Sequence, residues 1–312
     1  MSRTVLITCV QMQRELDAHR KRIIDAGYDV LSPQVPGQHF SSAELSDMMG
    51  GVAGLIAGDD ELDRRFFECS PDLRVLIRWG IGMDSVDHQA AAEHGVTVRN
   101  TPGVFGGEVA DSAMGYILLL ARGHHLVDRD IRAGRWPKFE GTSLSGATIG
   151  VVGLGDIGMA VTSRALGFGM KVLAFDPYVG RDRIPPNVRM AQDVTSMVAT
   201  ARFVVLTCPL TAETMHLIDE SVLRAMRSDA FLVNVARGPV VDENALIAAL
   251  ETGQIAGAGL DVFEHEPLAL DSPLRNLPNV VLGAHNGSNT REGVARASTR
   301  AVDFLLAELA GP

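Results

Sequence analysis

The chain is poor in cysteine, with only Cys9, Cys69 and Cys208 among 312 residues. These three are widely separated, odd in number and form no CxxC pair. The sequence therefore predicts neither a disulfide framework nor a zinc knuckle. We expect no metal site, and a reducing cytoplasm is the expected location.

Long apolar runs are also missing. The run AMGYILLLA (Ala113–Ala121) is the longest, and it is far shorter than the roughly 20 residues that span a bilayer. The N-terminus MSRTVLITCV lacks the apolar core and cleavage site of a signal peptide. Membrane insertion and secretion are therefore not expected.

Positive charge is in deficit. The chain has 28 Lys and Arg against 38 Asp and Glu, a formal net charge of -10. This balance argues against nucleic acid or an anionic membrane as the main partner. It still allows a small anionic substrate, because a local arginine can bind one in an acidic protein.

What remains has the composition of a globular protein, with 46% apolar and 21% charged residues in a length sufficient for two domains. Short apolar segments alternate with helix-length polar ones. The predicted strands are Thr4–Thr8, Gly54–Ala57, Leu73–Trp79, Val96–Asn100, Ala147–Gly155, Lys171–Phe175, Phe203–Thr207, Phe231–Val235, Ala258–Leu260 and Val280–Gly283. Helical segments are predicted over Gln11–Ala26, Val109–Arg132, Met159–Gly167 and Arg291–Leu309. This alternation predicts an α/β fold with parallel sheets and helices on both faces.

The segment VVGLGDIG contains a GxGxxG pattern formed by Gly153, Gly155 and Gly158. The pattern alone is weak, because the chain has 32 glycines. Its context strengthens it, since a predicted strand precedes it and a predicted helix follows. The first glycine permits a tight turn, the second lets backbone N–H groups approach a pyrophosphate, and the third lets helix and strand pack closely. The segment predicts a dinucleotide site with the phosphates at a helix N-terminus.

Asp176 ends the next predicted strand, 18 residues after Gly158, close to the ~20-residue spacing of the dinucleotide fingerprint. A carboxylate at this position accepts hydrogen bonds from both ribose hydroxyls of NAD and repels the 2′-phosphate of NADP. We therefore predict NAD as the cofactor. Arg181 and Arg183 follow closely and could accept a 2′-phosphate, so the choice stays open here.

Three ionisable residues in the second half each follow an apolar strand: Arg237, Glu266 and His285. The carboxyl ends of parallel strands are where open α/β sheets bind ligands, so these side chains can meet around one crevice. A histidine exchanges the hydroxyl proton in a hydride-transfer dehydrogenase. A carboxylate fixes its tautomer and stabilises the imidazolium, and an arginine binds the substrate carboxylate and polarises the keto group.

The stretch LDVFEHEP also contains His265, the histidine nearest to Glu266 in sequence, and Glu264. Because the position of His285 after an apolar strand assigns the proton transfer to His285, we expect His265 to take no part in chemistry. Glu264 is expected to be a solvated or packing carboxylate.

Seven segments occur in a characteristic order: RWGIGMDSVD, NTPGVFGGEVAD, VVGLGDIG, CPLTAETMHLI, NVARGPVVDENAL, GLDVFEHEP and GAHNGSNT. Together they resemble the D-isomer-specific 2-hydroxyacid dehydrogenases over nearly the full length. The resemblance implies a flavodoxin-like substrate domain (residues 1–99 plus 286–312) with an inserted Rossmann NAD-binding domain (residues 100–285). It also implies a homodimer formed through the Val109–Arg132 region.

By this resemblance, Arg237, Glu266 and His285 are the catalytic residues. The cofactor-binding residues that it implies are Gly153, Gly155, Asp156, Ile157, Gly158, Asp176, Cys208, Pro209, Thr214, Val235, Ala236, Asp261 and Gly287. Asp261 would hold the nicotinamide carboxamide. The substrate carboxylate would be bound by backbone N–H groups of the loop formed by Trp79, Gly80, Ile81 and Gly82. Ala284 stands where the family usually has proline, which could loosen the loop that aims His285.

Arg78 bears on the substrate, because it precedes this loop as in many phosphoglycerate-type members. It either faces an anionic substrate tail or makes an internal salt bridge. Asp59 and Asp60 stand where phosphoglycerate dehydrogenases tend to carry arginine, and two carboxylates there would repel a phosphate. We also expect no regulatory domain of the kind that the longer phosphoglycerate enzymes carry.

We therefore predict an NAD-dependent D-2-hydroxyacid dehydrogenase acting on a small anionic 2-hydroxy or 2-keto acid. One interpretation within this class is an enzyme like D-3-phosphoglycerate dehydrogenase in its short form, and the alternative is a glyoxylate/hydroxypyruvate reductase. A non-enzymatic NAD-sensing protein like a corepressor would need a lost catalytic trio, and all three groups are present here.

Overall fold

The computed structural model of the chain describes residues 3–311. It contains two compact units, one running to Phe105 and resuming at Asn289, the other comprising Gly106–Ser288. No helix in this described part is both long and apolar enough to cross a membrane.

A five-stranded parallel sheet forms the first unit. Its strands are β1 (Thr4–Ile7), β2 (Asp29–Leu31), β3 (Val52–Ala57), β4 (Val75–Arg78) and β5 (Thr97–Asn100). They lie in the order β2-β1-β3-β4-β5, the order of flavodoxin-like folds. Every residue of β3 and β4 is buried, which explains why both strands read as continuous apolar runs.

Short helices connect these strands: α1 (Val10–Gln13), α2 (Leu16–Asp25), α3 (Ser42–Ser46), α4 (Arg64–Glu68) and α5 (His88–Glu93). The predicted helix Gln11–Ala26 is therefore two helices. Side-chain caps define the starts of the last three, since Ser41, Asp63 and Asp87 each accept a hydrogen bond from a first-turn N–H group. Helices this short have too few residues for an apolar period to show in the sequence.

The second unit carries a seven-stranded parallel sheet. Its strands are β6 (Thr148–Val152), β7 (Lys171–Phe175), β8 (Val188–Met190), β9 (Phe203–Leu206), β10 (Phe231–Asn234), β11 (Gly257–Leu260) and β12 (Val280–Leu282). Their order, β8-β7-β6-β9-β10-β11-β12, is the Rossmann order with one further strand at the end. The predicted fold class is confirmed.

The helices of this unit are α6 (Gly106–Arg122), α7 (His124–Arg132), α8 (Asp156–Gly167), α9 (Val194–Val198), α10 (Glu220–Ala225) and α11 (Glu243–Glu251). The helical stretch predicted over Val109–Arg132 is divided between α6 and α7. Gly123 separates α6 from α7 with a φ of 59°, a conformation that suits glycine. The ring of Phe139 occupies the space that a Cβ of Gly123 would need.

The C-terminal helix α12 (Arg291–Ala310) belongs to the first unit, where it packs against β3 and β4. Its buried face includes Ala297, Ala301 and Leu305. Leu305 fills the space above Gly54 in β3. The C-terminal segment thus completes the core that the N-terminal strands begin.

Candidate active site

The glycine turn of the second unit lies between β6 and α8. Gly153 has a φ of 90°, and a Cβ there would lie 2.8 Å from the backbone nitrogen of Cys208. A Cβ at Gly158 would overlap the carbonyl oxygen of Gly153. At Gly155, the N-cap of α8, nothing lies within 4 Å of the Cβ position. The turn is therefore closed where helix meets strand and open at the helix N-terminus, which fits a pyrophosphate.

Asp176 fastens the end of β7 to this turn. Its Oδ2 accepts a hydrogen bond from Leu154 N over 2.7 Å, and its Oδ1 accepts from Tyr178 N and Val179 N over 2.8 and 3.1 Å. An ionised carboxylate offers about four acceptor positions, so Asp176 keeps capacity for a ribose hydroxyl. Arg181, in the exposed turn that follows, is the type of residue that an NADP phosphate would need.

The remaining predicted cofactor residues of this region surround the turn. Asp156 and Ile157 begin α8. Burial raises the pKa of the Cys208 thiol to about 11, which makes it a packing residue rather than a nucleophile. The hydroxyl of Thr214 donates to Pro209 O over 2.7 Å and closes the loop after β9.

Asn234 shapes the turn that carries Arg237. Its Oδ1 accepts from Ala236 N over 3.0 Å, and its Nδ2 donates to Arg237 O over 2.9 Å. Val235 and Ala236 are buried, while Arg237 is half-buried and donates through Nη1 to Ala236 O over 2.8 Å. Sequence reasoning missed Asn234, and the available signal was a polar residue that ends an otherwise apolar strand.

Glu266 and His285 form a direct pair. Glu266 Oε2 lies 2.8 Å from His285 Nδ1, across 19 residues of sequence. The other carboxylate oxygen accepts from Phe263 N over 3.0 Å, which fixes the orientation of Glu266. Both side chains are partly accessible, with 24% of His285 and 19% of Glu266 exposed. The structure therefore brings the predicted histidine and carboxylate together.

Asp261 holds the backbone around His285. It is buried, and its Oδ1 and Oδ2 accept hydrogen bonds from Asn286 N and Gly287 N over 3.2 and 2.8 Å. Its carbonyl oxygen accepts from His285 N over 2.7 Å, and His285 has a φ of 50°. Tyr116 adds a fourth donor, its hydroxyl lying 2.9 Å from Oδ1. Asp261 was predicted only as the nicotinamide carboxamide ligand, and the structure adds this role in fixing the His285 turn despite Ala284.

His265 and Glu264 have neighbouring but separate positions. His265 is exposed. Glu264 Oε1 accepts from His216 Nε2 over 2.8 Å and from Glu243 N over 3.2 Å. Glu243 in turn accepts from Glu264 N over 3.1 Å. Glu264 thus joins its segment to the start of α11 as a packing carboxylate.

The predicted substrate loop belongs to the first unit, and two of its four N–H groups are used internally. Trp79 N donates to Ala57 O over 2.8 Å, and Gly80 N donates to Thr101 Oγ1 over 2.9 Å. The Trp79 side chain is buried. The expectation that the whole loop offers N–H groups is therefore corrected. Within residues 3–311, Ile81 N and Gly82 N make no hydrogen bond.

Arg78 makes an internal salt bridge. It is buried, with 6% of its surface exposed, and Nη2 donates to Asp59 Oδ1. Of the two positions that the sequence allows for Arg78, facing an anionic substrate tail or making an internal salt bridge, the structure shows the salt bridge. No cluster of three or more metal-ligating side chains occurs in the part of the chain that the structure describes.

A Rossmann unit with an open glycine turn and a histidine–carboxylate pair defines a nicotinamide-dependent oxidoreductase. A family model described as "D-isomer specific 2-hydroxyacid dehydrogenase, NAD binding domain" matches residues 114–287. The chain belongs to the D-isomer specific 2-hydroxyacid dehydrogenase family, and its second unit is the NAD-binding domain.

Named relatives agree with this assignment. The chain is 40% identical to glyoxylate/hydroxypyruvate reductase B of Klebsiella pneumoniae subsp. pneumoniae, over 90% of this chain and 87% of the relative. A crystal structure of a protein from Thermus thermophilus superposes with a TM-score of 0.87 and 36% identity, covering 99% and 97% of the two chains. An NADPH-dependent glyoxylate/hydroxypyruvate reductase from Sinorhizobium meliloti, crystallised with NADP and malonate, has a TM-score of 0.85 and 29% identity, covering 98% and 93%.

Proposed function

We propose that this enzyme reduces small 2-keto acids, with glyoxylate and hydroxypyruvate as its substrates and NADH as the reductant. The observation that carries the proposal is the 2.8 Å contact between Glu266 and His285 in the same unit as the open glycine turn. The named relatives support the choice of substrates, because the Klebsiella and Sinorhizobium proteins are both called glyoxylate/hydroxypyruvate reductases.

The contacts of Glu266 and Arg237 support the following catalytic roles. NADH, when bound by the Rossmann unit, would supply the hydride to the carbonyl carbon. His285, whose Nδ1 is held by Glu266, gives a proton from Nε2 to the carbonyl oxygen, and the product is a 2-hydroxy acid, of D configuration where C2 is a stereocentre. Glu266 fixes the tautomer and stabilises the imidazolium before the proton leaves. Arg237 binds the substrate carboxylate and polarises the carbonyl through its planar guanidinium.

The two units divide these tasks. The Rossmann unit binds the cofactor, and the flavodoxin-like unit binds the substrate, close to the predicted division into residues 100–285 and residues 1–99 plus 286–312. Within the flavodoxin-like unit, we assign the substrate carboxylate to the N–H groups of Ile81 and Gly82. Backbone N–H groups without a partner in the chain are suited to bind an anion.

We assign NAD rather than NADP as the preferred cofactor. Asp176 lies at the end of β7, and its carboxylate would repel a 2′-phosphate while accepting ribose hydroxyls. The exposed Arg181 and Arg183 are the features that oppose this assignment. Comparison of kcat/KM for NADH and NADPH tests it directly.

A homodimer in a reducing cytoplasm completes the proposal. A groove of about 530 Å³ runs along α6 beside β12, lined by Tyr116, Leu119 and Leu282. Trp136, just after α7, is 78% exposed, as expected for a residue that a second copy covers. Cys9, Cys69 and Cys208 are all free thiols, which suits a reducing compartment. Sedimentation analysis of the purified protein measures the assembly.

The decisive experiment follows NADH absorbance with a panel of 2-keto acids that includes glyoxylate, hydroxypyruvate, pyruvate and phosphorylated hydroxypyruvate. We expect turnover of the first two, and a loss of about 10²–10⁴-fold in kcat for His285→Ala, the usual contribution of a general acid. If no 2-keto acid is reduced, or if His285→Ala keeps near-normal turnover, the proposal is wrong.

A further inference from the structure

Arg78 is a buried cation at the carboxyl end of β4. Only 6% of its surface is exposed, and a buried charge needs a partner to offset its lost hydration. Asp59 is that partner, its Oδ1 accepting from Arg78 Nη2. Strands β3 and β4 are neighbours with Ala57 opposite Arg78, so Asp59 reaches the guanidinium from the turn after β3.

The same guanidinium contacts the loop to which we assign the substrate carboxylate. Its Nη1 donates to Trp79 O. Gly80 has a φ of 141°, and a Cβ there would overlap Arg78 Nη1. Arg78 therefore lies against the backbone immediately before Ile81 and Gly82. Its Nε is buried and makes no hydrogen bond to any residue in the range 3–311.

The two members of the pair differ in their exposure. The Arg78 side chain is 7% exposed and the Asp59 side chain is 31% exposed, which places the carboxylate on the side nearer to solvent. Asp60 holds Asp59 there, because the Asp60 carboxylate is fully buried and accepts from Phe40 N and Gly58 N over 2.8 and 3.0 Å. An anion approaching Arg78 from solvent therefore meets Asp59 first.

We propose that Asp59 is a specificity-determining residue: by neutralising Arg78, it restricts the enzyme to 2-keto acids whose only negative charge is the carboxylate. An unpaired guanidinium in a shielded position attracts a second anionic group strongly, whereas an ion pair presents no net charge. Asp59 also repels such a group directly. This inference rests on the proposed function, since it assumes that the loop after Arg78 binds the substrate.

Hydroxypyruvate and its phosphate ester test the inference, because they differ only in the second anionic group. For the wild type, we expect kcat/KM for the ester to be on the order of one hundredth of that for hydroxypyruvate, since like charges brought together cost several kcal/mol. In Asp59→Asn, we expect this ratio to rise by on the order of tenfold or more, because Arg78 regains its net charge.

Two control variants separate this effect from a general change of charge. Glu61→Gln removes an exposed negative charge two residues away and leaves the ratio at its wild-type value. Asp59→Asn/Arg78→Gln removes both charges of the pair and loses the gain seen in the single variant. A ratio that stays within twofold of wild type in Asp59→Asn overturns the inference. The inference is also overturned if the wild type reduces the phosphate ester as efficiently as hydroxypyruvate. This test uses the wild type alone, so it does not depend on whether any variant folds.

A measurement without turnover distinguishes failure of this inference from failure of the proposed function. Melting temperatures are compared with and without inorganic phosphate, at saturating NADH so that the glycine turn is already filled. Phosphate should stabilise Asp59→Asn and leave the wild type, Glu61→Gln and the double variant unchanged. If no 2-keto acid is reduced but phosphate still stabilises Asp59→Asn, the proposed function fails while the neutralisation of Arg78 stands. If phosphate acts equally on all four proteins, the neutralisation is wrong.

Discussion

Tyr116 donates a hydrogen bond to Asp261 across 2.9 Å and 145 residues of sequence, which joins α6 to the turn that carries His285. Two glycines make room for this contact. A Cβ at Gly259 would lie 2.8 Å from Tyr116 Cβ, and one at Gly283 would overlap the Tyr116 hydroxyl. Burial and the Asp261 carboxylate raise the pKa of Tyr116, so the hydroxyl stays a donor throughout the working pH range.

Tyr116→Phe removes one of the four hydrogen bonds that Asp261 accepts. We expect the free energy of unfolding to fall by about 1.5–3 kcal/mol, the usual range for a hydrogen bond to a charged group. We also expect kcat to fall more than the affinity for NADH, because Asp261 positions the backbone of His285. Denaturant unfolding and steady-state kinetics measure the two effects. Tyr178→Phe, at a side chain that is 82% exposed, is the matched control and should change neither.

Gly155 and Gly158 should respond to alanine in opposite ways. Nothing lies within 4 Å of the Cβ position at Gly155. Gly155→Ala should therefore keep the wild-type melting temperature without cofactor, yet bind NADH on the order of tenfold more weakly, a loss of about 1.4 kcal/mol. Gly158→Ala would force a Cβ against Gly153 O, and such overpacking costs about 1–3 kcal/mol of stability.

Thermal melting and NADH fluorescence titration distinguish the two variants. Equal loss of stability in both would show that the turn at Gly155 is not open. Normal NADH affinity in Gly155→Ala would mean that the pyrophosphate does not bind at the N-terminus of α8.

Cys208 should resist alkylation in the folded protein. Burial raises the pKa of its thiol from the ordinary value of 9.0 to about 11, so at pH 8 only about one molecule in a thousand carries the reactive thiolate. The pKa of Cys9 is raised further, to about 12, also by burial. We expect iodoacetamide to modify the exposed Cys69 first, as peptide mass spectrometry can measure. Rapid modification of Cys208 with loss of activity would contradict its role as a packing residue.

The raised pKa of Cys208 also makes the free energy of unfolding depend on pH. The folded state keeps the Cys208 thiol neutral where the unfolded chain ionises it. Its contribution to stability is therefore complete below pH 9.0 and is lost as the pH rises towards about 11. In Cys208→Ser this part of the alkaline loss should be absent from pH-dependent unfolding curves.

The contact between Glu266 and His285 was predictable from the sequence because it follows from a general rule. Glu266 and His285 each follow a parallel strand, and the carboxyl ends of such strands lie at one edge of the sheet. The GxGxxG pattern, with a strand before it and a helix after it, predicted that the glycine turn would lie at the start of a helix. Alternation of apolar segments likewise sufficed for the fold class.

Other features depend on contacts that no local pattern reveals. Tyr116 reads as one more core residue of an apolar helix, and only the folded chain shows its hydroxyl next to Asp261. The N–H of Gly80 donates a hydrogen bond to Thr101, which lies 21 residues later in the sequence, directly after β5. Arg78 could have faced substrate or an internal partner, and the carboxylate that decided the matter, Asp59, lies 19 residues earlier.

His285, Glu266 and His265 can be separated by a set of single and double variants. We expect Glu266 to act through His285, since its Oε2 lies 2.8 Å from Nδ1. His285→Ala should lower kcat by about 10²–10⁴-fold, and Glu266→Gln should lower it by less. The double variant should be no slower than His285→Ala, because groups that act as one unit lose their effect together. His265→Ala, at the exposed histidine next to Glu266, should keep full activity. Additive losses in the double variant would mean that Glu266 acts independently of His285. A large loss of kcat in His265→Ala would contradict the assignment of proton transfer to His285.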